Sequence, residues 1–527
     1  VFQSPKDALH AGSFAKANPL GWAQFRLQAR PREGGRYHLA LAHGTNSYEK
    51  YRAPMPPTSA VPSHVFREYD IRGVAERDLS TSFATDLGRA LGGALAKQDG
   101  FTRLALGRDC RVSSPRLHDA LIEGLTRVGM KVMDIGVVPT PLLYFAVHYL
   151  DTDGGVMITG SHNPGEDNGF KMMRGKGSFY GQDIQKLRGT LEGAAFPGDA
   201  KGASEPVDVT GAYIDHLKKS ISLAATDMKF VVDAGNGSGG PLALATMRAL
   251  GLDPDPLFCD MDGTFPNHHP DPTVPANMQA LIDRVRETGA RVGIAYDGDA
   301  DRLGAVDANG DIIWGDKLMI LFSRGLLREH PGASILGEVK CSQTLYDDIA
   351  KHGGNPIMWK TGHSLIKTKM KESGALLAGE MSGHLFFADR YFGYDDAVYA
   401  SLRLLEILSR DPRTIGEMLA DVPATFSTPE LRVDCPDAMK FSVVRAVTRH
   451  YKEAGRDVID IDGARVSFGT PNEPAWGLVR ASNTGPVLVM RFEATTQGVL
   501  DRIRSEVEEV VKHAREDALD DTLVQKQ

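Results

Sequence analysis

The sequence predicts an α/β protein of several domains, because short apolar runs typical of strands alternate with helix-like patterns along most of the chain. A helical pattern at 82–97 precedes a strand-like run at 104–107, a helix at about 114–128 and a strand-like run at 131–135. This order is typical of βαβ units and a mostly parallel sheet. At about 150 residues per domain, the 527 residues suggest three or four domains.

The same alternation continues through two further units and changes near residue 428. The second unit has strand-like runs at 230–233 and 292–296 and a helix at about 278–288. The third, from about 314 to 425, has strands near 335–339 and 375–378 and a helix at 396–409. The last has strand-like runs at 458–461, 476–481 and 487–492 and a closing helix at about 497–514. Strands followed by a terminal helix predict a smaller α+β domain.

Composition restricts the class of protein. A net charge of -8, with 42% hydrophobic and 24% charged residues, is ordinary for a globular protein and unfavourable for nucleic-acid binding. The four cysteines (Cys110, Cys259, Cys341, Cys435) form no CxxC pair or dense disulfide framework, so we expect a reducing cytoplasm. We find neither an apolar run that could span a bilayer nor a secretory signal.

Residues 1–60 differ from the rest of the chain. Scattered Pro, Gly and Arg, a weakly strand-like piece at 37–42 and a Pro-rich stretch at 53–58 predict a poorly ordered extension ending in a stiff linker. The first residue is Val1 rather than Met, as expected of a fragment or a processed form.

The stretch 154–173, GGVMITGSHNPGEDNGFKMM, dominates the first unit. An apolar run at 156–158 ends in a tight loop that exposes the Ser161 hydroxyl at a strand end, where α/β proteins tend to keep their sites. His162 is its neighbour, and Lys171 follows on a second strand. A serine beside a proton carrier and a cation suits a nucleophile or a phosphate carrier, although the loop alone is more typical of a polar turn.

Three carboxylates, Asp297, Asp299 and Asp301, alternate after the run at 292–296. Carboxylates this close repel one another unless a cation lies among them, and oxygen-only ligands favour Mg²⁺, Ca²⁺ or Mn²⁺ over zinc. An EF-hand is excluded, because its sixth and twelfth positions hold Arg302 and Ala308 instead of Gly and Glu. The pattern predicts a metal site that phosphate or water completes.

A glycine-rich turn at 235–240 raises one alternative. The sequence GNGSGG follows the run at 230–233 and matches G-x-G-x-x-G, with Asp253 and Asp255 near the place of a ribose contact. A nicotinamide-dependent oxidoreductase would use such a motif, but nothing nearby suggests hydride chemistry. We interpret it as a turn whose glycines let strand and helix pack closely.

Two later loops carry side chains suited to sugars and phosphates. Glu380, Ser382 and His384 alternate in a glycine-bounded loop and suit the hydroxyls of a sugar ring, although a polar hairpin turn is equally consistent. The loop 480–485, RASNTG, joins a cation to polar side chains and free backbone N–H groups, as a phosphate or carboxylate requires. Weaker candidates are Lys340 and the loop 362–364, whereas His268 and His269 are interpreted as structural.

In this order, TGSHNP, DGDADR, GEMSGH and RASNTGP resemble the motifs of the α-D-phosphohexomutase superfamily, above all its bifunctional bacterial branch. The opening FREYDIRG and the GHS loop agree, and the resemblance covers about residues 62–515. It implies four domains around a central cleft, three related α/β domains and a smaller α+β domain. The expected boundaries are 61–210, 211–313, 314–426 and 427–520, after an extension of 1–60.

The resemblance also implies a role for each matching residue. Ser161 is expected to carry a phosphoryl group and, with Asp297, Asp299 and Asp301, to bind Mg²⁺. The expected catalytic residues are Ser161, His162, Lys171, Arg302 and His384. The expected substrate-binding residues are Tyr69, Arg72, Lys340, His363, Glu380, Met381, Ser382, Gly383, His384, Arg480, Ser482, Asn483 and Thr484. Two departures are slight: Ala300 replaces the usual glycine, with its side chain expected to point away from the ion, and Gly160 replaces an alanine.

The implied reaction moves a phosphoryl group between O1 and O6 of glucose or mannose phosphates, so hexose phosphates are the expected partners of a monomeric enzyme. Phospho-Ser161 gives a hexose 1,6-bisphosphate, which is both intermediate and activator, and which turns around before the serine is rephosphorylated. His384 and Lys171 are both candidates for the base. A phosphatase or Ser–His hydrolase, and a binding protein without turnover, remain the alternatives.

Overall fold

A computed structural model of the chain describes residues 61–194, 196, 200–470 and 473–524, with only the backbone described for 520–524. The predicted extension 1–60 and its strand-like piece at 37–42 lie outside the described residues. Four sheets follow one another along the described chain, the first three mixed and the fourth antiparallel. The predicted fold class, three α/β domains and a smaller α+β domain, is therefore confirmed.

The first sheet has the strand order β1-β5-β4-β2-β3-β7, with β6 paired to β5. Its strands are β1 (Ile71–Val74), β2 (Arg103–Arg108), β3 (Lys131–Val137), β4 (Gly154–Ile158), β5 (Asp167–Arg174), β6 (Gly177–Ser178) and β7 (Ala203–Pro206). Its helices are α1 (Ala75–Asp78), α2 (Thr81–Asp99), α3 (Ser114–Arg127), α4 (Thr140–Tyr149), α5 (Gln182–Glu192) and α6 (Thr210–Ser220), after a short 3₁₀ turn at Ser63–Val65.

The second sheet, in the order β12-β11-β10-β8-β9, comprises β8 (Phe230–Asp233), β9 (Asp255–Leu257), β10 (Val292–Tyr296), β11 (Leu303–Asp307) and β12 (Ile312–Ile313), with α7 (Gly239–Ala249) and α8 (Gln279–Thr288). A 3₁₀ turn, Pro275–Met278, leads into α8. The third sheet, in the order β14-β13-β15-β16, comprises β13 (Ser334–Glu338), β14 (Asn355–Trp359), β15 (Leu377–Gly379) and β16 (Leu385–Phe387), with α9 (Gly315–Glu329), α10 (Gln343–Lys351), α11 (His363–Ser373), α12 (Ala397–Arg410) and α13 (Ile415–Met418).

The fourth sheet is antiparallel and carries two long helices on its core side. Its members are β17 (Phe426–Ser427), β18 (Leu431–Asp434), β19 (Val458–Ile459), β20 (Ala464–Ser467), β21 (Ala475–Ala481), β22 (Val487–Ala494), α14 (Asp437–Glu453) and α15 (Gln497–Val524). These elements bury a core of their own, whereas one apolar cluster runs through the first three domains from Ala105 to Met418.

An antiparallel strand pair ends the parallel part of each α/β sheet, which the prediction of mostly parallel sheets did not anticipate. Strands β4 and β5, β10 and β11, and β15 and β16 all pair antiparallel, whereas β2, β3, β4 and β7 and the pairs β8–β10 and β13–β15 are parallel. The strands β5, β11 and β16 are buried on both faces like their neighbours β4, β10 and β15, so they lack the polar–apolar alternation typical of antiparallel sheets.

The glycine-rich turn at 235–240 joins β8 to α7 and packs as interpreted. A Cβ on Gly237 would lie 2.6 Å from the carbonyl oxygen of Gly298, and one on Gly240 would lie 2.2 Å from that of Cys259. Asp255 pairs with Arg284 at 2.8 Å, which leaves it a structural role. The close-packing interpretation is confirmed, and the turn supports the loop that carries Asp297.

The structure also describes the state of the cysteines and the character of the helices. The four cysteines are free thiols. No helix in the described ranges has the length and apolar character needed to cross a lipid bilayer.

Candidate active site

Three loops occupy the same position in three successive sheets, each at the turn of an antiparallel pair. The β4–β5 loop carries Ser161, the β10–β11 loop carries Asp297, Asp299 and Asp301, and the β15–β16 loop begins at Glu380. The loops meet, because Ser161 Oγ donates to Asp297 Oδ2 at 2.8 Å and the N–H of Leu303 donates to the Gly383 carbonyl at 3.0 Å.

Ser161 is held in an uncommon backbone conformation. Its φ is 49°, and its N–H donates to Thr159 Oγ1 at 2.8 Å. The expectation of an exposed hydroxyl is wrong: the residue is 2% exposed, because the loop of the second domain covers it. Its Oγ lies 3.1 Å from His162 Nδ1. Burial, with the charges of Arg302 and Arg72, holds the pKa of His162 well below its usual value, so this imidazole is neutral.

The three carboxylates form a compact buried group. Oxygens of Asp297, Asp299 and Asp301 lie within 4.8 Å of one another. Lys171 Nζ, on β5, donates to Asp299 at 2.7 Å and to Asp301 at 2.5 Å. Thr140 Oγ1, at the start of α4, donates to Asp299 at 2.5 Å. The first domain thus supplies the counter-charge for the acidic loop of the second.

The donor set fits a divalent cation. Asp299 Oδ1 and Asp301 Oδ1 are buried and accept no hydrogen bond within the described part of the chain. Burial and the neighbouring carboxylates raise the pKa of Asp297 well above its usual value, as expected where a cation normally offsets the charge. Ala300 has a φ of 55° and its side chain belongs to the apolar core, so it points away from the carboxylates as predicted.

Two cations and an imidazole border the acidic group. Burial disfavours the charge on Lys171, but Asp299 and Asp301 outweigh this and raise its pKa, so the amine stays protonated. Arg302 Nε donates to His384 Nε2 at 3.1 Å, which requires that nitrogen to be unprotonated. His384 Nδ1 lies 3.1 Å from Asp395 Oδ2.

A stack of aromatic rings continues from His384 toward the first domain. His363 stacks on His384 with ring centres 5.6 Å apart, and Tyr69 meets His363 edge-on at 5.8 Å. Burial, with the charge of Lys367, holds the pKa of His363 well below its usual value. These rings form one wall of the site.

Glu380 is the centre of the loop proposed to recognise a sugar. Its Oε1 accepts from the N–H of Gly362 at 2.7 Å, and its Oε2 accepts from Ser382 Oγ at 2.9 Å. The N–H of Met381 donates to Glu338 at 3.3 Å. The carboxylate therefore ties the β15–β16 loop to the turn that precedes α11.

The loop after β21 lies against both the third and the first domains. Arg480 Nε donates to Asp462 at 3.0 Å, and Asp462 also accepts the N–H of Thr361. Asn483 Nδ2 donates to the Tyr69 hydroxyl at 2.6 Å. Within the loop, Ser482 Oγ accepts from the backbone N–H groups of Thr484 and Gly485, at 3.3 and 3.2 Å.

Two further predicted residues have fixed partners. Arg72 donates to Asn163 Oδ1 at 2.8 Å, beside the Ser161 loop, and to Asp70 at 2.5 Å. Lys340 Nζ donates to Glu430 at 3.0 Å. Every predicted site residue thus belongs to one connected network of contacts.

Comparison with known proteins decides the family. Four phosphoglucomutase/phosphomannomutase domains match the chain: alpha/beta/alpha domain I at 63–196, domain II at 211–310, domain III at 314–426 and the C-terminal domain at 430–510. A phosphomannomutase/phosphoglucomutase of Pseudomonas putida is 45% identical over 446 residues, which are 85% of this chain and 95% of the relative. The chain belongs to the phosphoglucomutase/phosphomannomutase family of isomerases.

Other members of the family agree in sequence and in fold. A phosphoglucomutase of Neisseria meningitidis serogroup A is 45% identical over 451 residues, 85% of this chain and 96% of the relative. The crystal structure of a phosphoglucomutase/phosphomannomutase family protein from Burkholderia thailandensis superposes with a TM-score of 0.80 at 42% identity, over 86% of this chain and 98% of that one.

Four residues of the site escaped the sequence reasoning. Thr140 binds Asp299, Asp395 faces His384, Asp462 holds Arg480, and Arg111 contacts the Ser161 loop. Each serves the site through a tertiary contact, so no local sequence pattern distinguishes it.

Proposed function

We propose that this family member is a phosphomannomutase/phosphoglucomutase that interconverts the 1-phosphates and 6-phosphates of glucose and mannose through a phosphorylated Ser161. The observation that carries the proposal is the position of Ser161 Oγ, 2.8 Å from a buried triad of carboxylates in a loop of fixed conformation. A polar turn without chemistry would not bury a hydroxyl against three acids, two of which keep an oxygen that accepts no hydrogen bond from the described residues.

In the forward half-reaction, a free sugar hydroxyl attacks the phosphorus of phospho-Ser161. The new P–O bond forms as the bond to Ser161 Oγ breaks, which leaves a sugar bisphosphate and a serine hydroxyl. After the bisphosphate has turned around, Ser161 Oγ attacks its other phosphoryl group. Each half-reaction needs a group that accepts the proton of the attacking hydroxyl and returns a proton to the oxygen that leaves.

His384 is the residue we assign as that base. Its Nε2 is unprotonated because it accepts from Arg302, and it regains a free lone pair when the guanidinium turns to a substrate phosphate. Lys171, the alternative, has a raised pKa between Asp299 and Asp301 and serves as a fixed positive charge.

Asp297, Asp299 and Asp301, with the phosphate of Ser161, would hold a Mg²⁺ ion, which offsets negative charge on the phosphoryl group during transfer. We assign Arg302 to the same phosphoryl group, and this assignment is supported by its backbone N–H, which donates to Asp297 at 3.1 Å and keeps the residue beside the acidic loop.

Substrate binding is assigned to two loops from different domains. Glu380 and Ser382 offer acceptor and donor groups to sugar hydroxyls that glucose and mannose share, at O3 and O4. Arg480, Ser482, Asn483 and Thr484 bind the phosphate that does not react. Tyr69, Lys340 and His363 complete the cleft between the loops.

Replacement of the serine tests the proposal. Ser161→Ala should lose at least about a thousandfold in kcat on glucose 1-phosphate and mannose 1-phosphate, because no covalent intermediate can form. Ser323→Ala, at a buried serine of α9 whose Oγ accepts and donates nothing within the described residues, is the matched control and should retain activity.

The covalent state distinguishes the alternatives. Intact-mass measurement after incubation with glucose 1,6-bisphosphate should find one phosphoryl group on the wild type and none on Ser161→Ala. Phosphate release in place of isomerisation would indicate a phosphatase, and tight binding without turnover or phosphorylation would indicate a binding protein. Either result contradicts the proposal.

A further inference from the structure

The guanidinium of Arg111 lies at the centre of the Ser161 loop and is fully buried. Arg111 follows β2 by three residues, and none of the sequence motifs contains it. Its position is unusual, because a buried guanidinium must find partners for five N–H groups in one plane.

All five donors of Arg111 are used. Nε donates to Asp109 Oδ2 at 3.1 Å. Nη2 donates to the carbonyls of Ser161 at 2.7 Å and Asn163 at 2.6 Å, and Nη1 donates to those of Asp167, at 2.9 Å, and Pro164. Four carbonyls of one loop therefore point at one side chain, and the loop is wound around it.

This arrangement fixes the serine rather than merely the loop. A non-glycine residue in the left-handed region, as Ser161 is at φ 49°, is strained and persists only where its surroundings determine it. Thr159 holds the N–H of Ser161 and Arg111 holds its carbonyl. Both peptide groups of Ser161 are thereby fixed, and with them the direction of the Cα–Cβ bond from which Oγ reaches Asp297.

The same guanidinium also contacts the domain that bears the carboxylates. The Phe265 ring lies 5.0 Å from its Cζ, and the backbone of Arg111 forms a parallel bridge with Gly263. A Cβ on Gly263 would lie 2.6 Å from Arg111 Cα, so this approach requires glycine. Arg111 thus relates the Ser161 loop to the second domain.

We propose that Arg111 is a positioning residue for phosphoryl transfer, which sets Ser161 Oγ against Asp297; this inference rests on the function proposed above. Its charge is neutralised locally, because Asp109 receives both Arg111 Nε and the N–H of Gly160. Arg111 therefore acts through the geometry of the loop and makes no contact with the reacting atoms.

Arg111→Lys keeps the positive charge and removes the planar set of five N–H donors. Lysine offers three donors from one point and cannot serve five acceptors in a plane. We expect kcat to fall about ten- to a hundredfold, as a displacement of about 1 Å at a reacting atom can cause. KM for both sugar phosphates should change less than about threefold, because the sugar and distal phosphate loops lie on other domains.

Arg116→Lys is the matched control. Arg116, on α3 of the same domain, also donates to two backbone carbonyls, those of Leu79 at 2.9 Å and Ala75 at 3.1 Å, but away from Ser161. Its kcat should stay within twofold of the wild type. Hydrogen exchange of the peptide 159–168 should accelerate in Arg111→Lys and not in Arg116→Lys, whether or not the protein is a mutase.

A folded Arg111→Lys with kcat within threefold of the wild type overturns the inference, as does a loss that lies in KM alone. If Arg111→Lys does not fold, Phe265→Leu takes its place, since it removes only the ring beside the guanidinium. There we expect a three- to tenfold loss in kcat at constant KM, and an unchanged kcat overturns the inference. Absence of mutase activity in the wild type, with the exchange result as expected, would instead contradict the proposed function alone.

Discussion

At Ala300, backbone strain and burial of the side chain have opposite effects on stability. Its left-handed φ of 55° costs an alanine about 1–2 kcal/mol, yet its methyl group is fully buried in the core. Ala300→Gly relieves the strain, loses about 0.8 kcal/mol of methyl burial and adds about 0.5–1 kcal/mol of unfolded-chain entropy. We expect the free energy of unfolding to change by less than about 1 kcal/mol, with activity retained.

Ala295→Gly is the control for that measurement. Ala295 lies in β10, just before the loop, with ordinary strand geometry and 5% exposure. The same substitution there relieves no strain and should destabilise by about 1–2 kcal/mol. Denaturant unfolding compares the two, and an equal loss at both positions would contradict the strain argument.

The limits of sequence reasoning are visible at single residues. Ser161 and the three aspartates could be found because each follows an apolar strand in a short polar loop. The burial of Ser161 could not be predicted, because the loop that covers it lies 136 positions away in the sequence. Thr140, Arg111 and Asp395 serve the site through tertiary contacts, which leave no local pattern.

Glu380 belongs to the scale of the element, since it joins the β15–β16 loop to the turn before α11. Glu380→Ala removes both an acceptor for sugar hydroxyls and this support. KM should rise about tenfold for glucose 1-phosphate and mannose 1-phosphate alike, because the two sugars differ only at C2. Glu372→Ala, at an exposed residue of α11, is the control, and a loss confined to one sugar would refute shared contacts at O3 and O4.

One histidine of the helix α4 makes the stability of the fold depend on pH. His148 stacks on Phe392 with ring centres 4.6 Å apart, and burial, with the charge of Lys176, lowers the pKa of His148 to about 4. Because the unfolded chain binds this proton near pH 6.5 and the folded chain does not, stability is full above pH 6.5 and falls toward pH 4.

His148→Phe tests that dependence, since it keeps an aromatic ring and removes the titration. With allowance for solvent at this partly exposed site, the wild type should lose roughly 1 kcal/mol more than the variant between pH 7 and pH 5. Thermal unfolding at both pH values measures the difference, and parallel pH profiles would show that His148 contributes nothing.

Helices with one polar face were predicted from the sequence, whereas a helix without a polar face was missed. The amphipathic helices α2, α3, α8 and α12 were found to within a few residues. Helix α4 was missed, because eight of its ten residues are buried and an apolar run has no helical period. The antiparallel direction of the strand β5 was also missed, because six of its eight residues are buried and it shows no polar–apolar alternation.

The whole molecule brings together residues that the sequence separates by hundreds of positions. Asn483 and Tyr69, 414 positions apart, are joined by one hydrogen bond between the fourth and the first domains. No periodicity or spacing predicts such a contact. The alternation of strands and helices predicted the order of the domains, whereas their arrangement around a cleft was predicted only from the family resemblance.

Replacement of Arg480 tests how the cleft binds a substrate in two orientations. The proposed reaction presents O1 and then O6 to the same serine, so one distal site must hold the other phosphate in both cases. A hydrogen bond to a charged group contributes about 1.5–3 kcal/mol. Arg480→Ala should therefore raise KM roughly ten- to a hundredfold for 1-phosphates and 6-phosphates alike, and release more bisphosphate before it has turned.

Steady-state kinetics in both directions, with released bisphosphate quantified, measures this. Arg504→Ala is the control, because that arginine of α15 is exposed and pairs with Glu508 on the same helix, away from the cleft residues. If only one direction suffers, Arg480 serves a single binding mode and the shared site is wrong.

Lys171 gives the three aspartates a counter-ion that is part of the chain. Its ammonium lies between Asp299 and Asp301 at 2.7 and 2.5 Å, so part of the acidic charge is already balanced by the protein itself. Many small metal-binding domains fold only when their metal ion is bound. We therefore expect the polypeptide to fold before the proposed metal ion binds and to stay folded when the ion is removed. Metal supply would then govern how many of the molecules work at a given moment, and not how many survive.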